Sequence, residues 1–154
     1  MITRKKPRPV ANFGLAFLFL SVVVVAGHII NLVITLLPTS QGAVLELGDG
    51  TTIVISSLRN SYLTLIIIAV VVYGGIWFGV FRSKNWARWS AVVLTVLAAV
   101  LAVQGLAQVV AMGLSDMIGL SLHLAQLIAA GWVLALAFRQ EVHDWYSKKV
   151  QSTT

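Results

Sequence analysis

Four stretches of this chain contain no Asp, Glu, Lys or Arg and are each long enough to cross a bilayer: about 13–37, 62–81, 89–112 and 118–138. A hydrocarbon core about 30 Å thick requires roughly 20 apolar residues in a helix. Inside hydrocarbon every backbone N–H and C=O needs a partner within the protein, so only helices and closed barrels span it. These runs are continuously apolar and do not alternate, which selects helices. The predicted fold class is an all-α membrane protein, a four-helix transmembrane bundle. Composition closes off the soluble alternative. Only 10% of residues are charged against 58% hydrophobic, whereas a soluble domain carries about a quarter charged residues to cover its core. At 154 residues the chain reads as a single integral membrane domain, 1–154.

The net charge of +6 would fit nucleic acid if the basic residues formed a stripe, and they do not. Arg4, Lys5, Lys6 and Arg8 precede the first span; Arg82, Lys84 and Arg88 separate the second from the third; Arg139, Lys148 and Lys149 follow the fourth. The remaining loops hold one basic residue, Arg59. Basic residues accumulate on the cytoplasmic side of a membrane protein. Both termini are therefore expected in the cytoplasm, with residues 139–154 as a cytoplasmic tail, in the inner membrane of a bacterium. Trp77, Phe81, Trp86 and Trp89 flank the middle basic loop, where interfacial aromatics belong. A basic start before an apolar run also describes a cleaved signal peptide, with Val24-Val25-Ala26 as its site. The apolar stretch continues to Leu37, too far for a signal core.

The loop 38–61 should lie on the outer surface. Two β-prone runs, Ala43–Leu47 and Thr51–Ile55, flank Gly48-Asp49-Gly50, the pattern of a small β-hairpin between the first two helices. Glu46, Asp49 and Arg59 are its candidate partner contacts. Beyond the fourth span, Val142, Trp145, Tyr146 and Lys149 recur at helical spacing. That predicts a short continuation of the last helix along the cytoplasmic interface, with His143 as a surface residue.

Polar side chains inside a span are costly and therefore informative. Ser21, His28, Asn31 and Thr35 share one face of the first helix; Gln104 and Gln108 lie one turn apart on the third; His123 and Gln126 lie close together on the fourth. In the outer halves of three helices, His28, Asn31, Gln104, Gln108, His123 and Gln126 fall at similar depth. They either form a hydrogen-bonded network that sets helix register or line an outward-facing binding cavity. Two histidines on different helices also suit the axial positions of a b-type haem, but the amides make the site polar and only Arg59 is at hand for propionates. A zinc site lacks a third ligand. No cofactor and no metal are expected. Small residues form a second set: Gly75 and Gly79 in a G-x-x-x-G pair, and Ala98, Ala102 and Gly105 in a stripe. They predict close helix packing, within the bundle in preference to a homo-oligomer.

The spans hold no paired carboxylates, and cysteine nucleophiles and phosphate-binding loops are missing from the sequence, so a binding role is expected in place of an enzymatic one. The loop Arg82-Ser83-Lys84-Asn85-Trp86-Ala87-Arg88-Trp89 resembles the basic, Trp-rich loop of small four-span bacterial inner-membrane proteins, a group that includes accessory subunits and immunity proteins. The resemblance covers that loop, its flanking helices and the hydropathy. It implies a partner in the membrane: a pore-forming toxin to be neutralised, or another subunit of a complex. A small oligomeric channel or transporter is the alternative, with the polar cluster lining its vestibule.

Overall fold

The computed structural model describes residues 6–37, 44–46, 52–54, 58–111 and 116–151. In chain order these form α1 (Arg8–Leu36), β1 (Val44–Glu46), β2 (Thr52–Val54), α2 (Leu58–Phe81), α3 (Asn85–Ala111), α4 (Met117–Ala137) and α5 (Gln140–Gln151). The first four helices are each long and apolar enough to cross a membrane, and the chain is a multi-pass membrane protein. Their outward residues, such as Ile67, Val71 and Ile128, are large, apolar and exposed, which only a hydrocarbon solvent makes favourable.

Each helix end has a local cause. α1 starts before the expected 13 because Pro9 sits in its first turn, where a missing N–H removes no helical bond. The Pro7 carbonyl accepts from Val10 at 3.1 Å and Ala11 at 3.2 Å. At its far end Leu37 is extended, with φ −66° and ψ 141°, as the residue before a proline must be. Asp116 caps α4, its Oδ1 accepting from the Gly119 N–H at 2.8 Å. The α2–α3 turn is a Schellman motif. Ser83 is left-handed at φ 56°; its N–H bonds to Val80 O and that of Lys84 to Gly79 O, both at 2.9 Å. Gly79 makes the turn possible, since a Cβ there would come within 2.6 Å of Ala87 Cβ.

So short a turn makes α2 and α3 antiparallel. Around the bundle α1 packs on α2 and α4, and α3 on α2 and α4. The start of α1, the α2–α3 turn and the end of α4 therefore share one end, the terminal end; the other is the loop end. Against α4, helix α3 presents Ala91, Thr95, Ala98 and Ala102, all buried. These small residues let the two helices approach closely. Aromatic bulk comes from α1: Phe13 and Phe17 are fully buried, and Phe17 stacks on Tyr73 with centroids 5.7 Å apart. Gly75 departs from the expectation. It is exposed, with nothing within 4 Å of a would-be Cβ, so it packs no helix of this chain among the described residues.

The C-terminal segment also requires correction. α5 is a separate helix, divided from α4 at Phe138 and Arg139, and it folds back on the bundle. Val142 and Tyr146 are wholly buried. The Tyr146 hydroxyl donates to Val80 O at 3.0 Å, and Trp145 Nε1 donates to Ser83 Oγ at 3.0 Å. The last carbonyls of a helix have no intrahelical donors, and α5 supplies one to α2. Lys6 does the same from the N-terminal side, its ammonium bonding Phe81 O. Arg88, read from the sequence as a topology charge, lies 2% exposed inside α3. It donates from Nη2 to Ala137 O, at the C-terminus of α4, at 3.0 Å. A cation suits that site, where the helix dipole is negative.

At the loop end β1 and β2 pair antiparallel, with Val44 opposite Val54, Leu45 opposite Ile53 and Glu46 opposite Thr52. Asp49 and its flanking glycines lie outside the described residues, and Glu46 is placed by its backbone alone. Arg59 is exposed in the first turn of α2.

Candidate functional site

An intramembrane cleft of about 360 Å³ lies in the loop-end half of the bundle. Most of its wall is aliphatic, as a cavity between transmembrane helices should be. Leu65, Ile68 and Val72 of α2 face Leu94, Leu97 and Leu101 of α3 across it. Ile68, Leu97 and Leu101 are each more than half exposed, so the cleft opens between α2 and α3 toward the surrounding bilayer. The aromatic end of its floor is Tyr73, backed by Phe17. Tyr73 thus belongs to the site.

Polar groups enter from the two remaining helices. His28 and Asn31 come from α1, and His123 and Gln126 from α4. The helical rise of about 1.5 Å per residue gives their depth. His123 lies about 9 Å from the start of α4, and His28 about 12 Å from the end of α1. Both depths are below the headgroup region and short of the bilayer centre.

The expected six-residue cluster is thus brought together only in part. Gln104 and Gln108 are exposed and do not line the cleft. Their helix turns Ala98, Ala102 and Gly105 toward α4; the two glutamines share the face of Leu97 and Leu101 but sit one to three turns nearer the loop end, beyond the cleft lining. The four side chains that do converge make no hydrogen bond to one another among the described residues. Gln126 donates from Nε2 to Ala98 O at 2.8 Å, which ties α4 to α3. His123 has a different support. Its ring lies against Gly105, where any Cβ would collide with the imidazole. Gly105 therefore seats a cleft residue as well as serving helix packing. His123 Nδ1 is buried with no hydrogen-bond partner. A buried polar atom without a partner is costly, and this one belongs to a cleft-lining side chain.

The lining contains no Asp, Glu, Lys or Arg. Haem propionates would find no cation there, and a metal ion would find two imidazoles with no third ligand among the described residues. What the arrangement offers chemically is hydrogen bonding to a neutral group, from imidazole, amide and phenol, within an apolar enclosure.

The sequence reading missed the Arg88–Ser83–Tyr146 assembly at the terminal end. The signal available was Val142, Trp145 and Tyr146 at helical spacing on a largely polar segment, which marks a buried helix face. Compared with known proteins, the chain matches no family model, no curated protein and no solved structure.

Proposed function

We propose that this is a non-enzymatic binding protein of the bacterial inner membrane, and that the cleft receives a partner that resides in the bilayer. The observation that carries this reading is an apolar cleft that opens sideways between α2 and α3 with His28, Asn31, His123 and Gln126 in its wall. Ligand sites are concave, mostly apolar and furnished with a few convergent polar groups, and this cleft has that character. Its lining offers no carboxylate and no hydroxyl nucleophile beyond the Tyr73 phenol, which favours binding over catalysis. Orientation follows from charge. Lys6, Arg8, Arg82, Lys84, Arg88 and Arg139 gather at the terminal end, and this distribution supports cytoplasmic termini.

A second reading rests on a different surface. Gly74 and Gly75 are open on the outside of α2, between exposed Val71 and Phe78, so another transmembrane helix can approach closely there. In this reading the chain is an immunity protein that captures a membrane-targeting toxin, with Glu46, Asp49 and Arg59 as outer contacts. Service as an accessory subunit uses the same surface. A channel through one copy is disfavoured, because Phe13, Phe17, Leu20 and Tyr73 fill the bundle below the cleft.

Affinity purification from native membranes in mild detergent, with mass spectrometry of proteins and lipids and an absorption spectrum, tests the proposal. A stoichiometric small molecule supports the cleft reading, and a stoichiometric membrane protein supports the α2 reading. A Soret band, or a homo-oligomer holding neither, overturns both.

A further inference from the structure

Resting on the reading of the cleft as a binding site, we infer that its occupant is a quinone or quinol, with the ring in the cleft and the apolar tail leaving between α2 and α3. Depth comes first. The hydrogen-bonding groups lie about 8–14 Å inside the helix ends, where a phospholipid headgroup would have to abandon the interface. The occupant's polar head must therefore be at home in hydrocarbon.

Charge narrows the choice. With no ionic side chain in the lining, a carboxylate or phosphate would be buried unpaired, at a cost no neutral dipole repays. Number and placement narrow it again. His28 and Asn31 on α1 form one hydrogen-bonding station and His123 and Gln126 on α4 a second. A fatty alcohol has one polar end and satisfies one station. A quinone carries carbonyls at both ends of a flat ring and satisfies two.

Imidazole fits both redox forms. A neutral ring donates from one nitrogen and accepts at the other, so a carbonyl takes the donor and a quinol hydroxyl the acceptor. His28 and His123 each place an imidazole in the cleft wall. The Tyr73 ring, backed by Phe17, supplies a flat surface for a second ring to lie on. About 360 Å³ is at the small end of ligand sites, suited to a single ring whose tail stays in lipid.

Photolabelling the full chain in phospholipid nanodiscs with a short-tailed azidoquinone, followed by peptide mapping, tests the inference. Labelling should concentrate around His28, Tyr73 and His123 and be competed by excess unlabelled quinone. Loss of one hydrogen bond in His123→Phe should weaken competition about tenfold. Leu97→Trp fills the cleft from a half-exposed position, leaves the buried core alone, and should abolish labelling. Labelling spread over the outer faces without competition, or unchanged in folded Leu97→Trp, overturns the inference. A co-purified phospholipid or apolar peptide that Leu97→Trp displaces would also overturn the quinone but leave the binding site standing. If Leu97→Trp displaces nothing that co-purifies, the site itself falls.

Discussion

Arg88 Nη1 of α3 lies 3.0 Å from His143 Nδ1 of α5, while Nη2 of the same guanidinium holds the last carbonyl of α4. One side chain therefore joins three helices at the terminal end. Because Arg88 is buried and His143 exposed, the two should respond unequally to truncation. Arg88→Ala should cost about 2–4 kcal/mol, since it removes two charge-assisted bonds from a buried position. His143→Ala should cost under about 1 kcal/mol, because water can replace an exposed partner. Equilibrium unfolding in mixed micelles would measure both, and equal losses would refute this division of roles.

Ser83 occupies a left-handed position that glycine prefers, and its hydroxyl compensates by accepting from Trp145. Two substitutions separate these effects. Ser83→Ala keeps the backbone strain and loses the bond, and should cost about 1 kcal/mol. Ser83→Gly loses the bond but relieves the strain, and should be within about 0.5 kcal/mol of the parent. Both should shift the tryptophan emission, measured alongside the unfolding curves.

Tyr146 gives the fold an alkaline limit. Burial pushes its phenol up to about 12, and the nearby Arg88 charge pulls the other way. In the unfolded chain the phenol ionises near 10. Since the folded value is the higher one, the folded state holds its proton longer. Its contribution to stability is complete below pH 10 and declines as pH rises from about 10 to about 12. Melting temperature in detergent should therefore fall more steeply across that window for the parent than for Tyr146→Phe. The Phe variant should itself cost about 1 kcal/mol at neutral pH, for the bond to Val80 O. Parallel curves would place the sensitivity elsewhere.

Two glycines should behave oppositely. Gly105→Ala drives a methyl into the His123 ring and should destabilise by about 1–3 kcal/mol, with loss of any ligand held by His123. Gly75→Ala meets nothing in this chain and should be neutral or stabilise by up to about 1 kcal/mol through helix propensity. If Gly75→Ala instead abolishes co-purification of a membrane partner, the exposed glycine face is a protein interface.

Much of this architecture was legible before any coordinates. Four uncharged apolar runs and the basic residues that flank them act through local rules: span length and the charge at the span ends. Such rules read the same in one dimension as in three. The angular setting of each helix is another matter. Gln104, Gln108, His123 and Gln126 look alike in the sequence. Only packing decides that the first pair faces outward and the second inward, because α3 must turn its alanines to α4. Gly75 and Gly79 form one motif on paper, and the α2–α3 turn employs only the second. Arg88 and Tyr146 read as interfacial anchors until α5 folds back and buries them. Hydrophobic burial in a bilayer sets which segments enter it, and close packing between helices sets which side chains meet. The first is a property of each segment, and the second exists only once the segments are assembled.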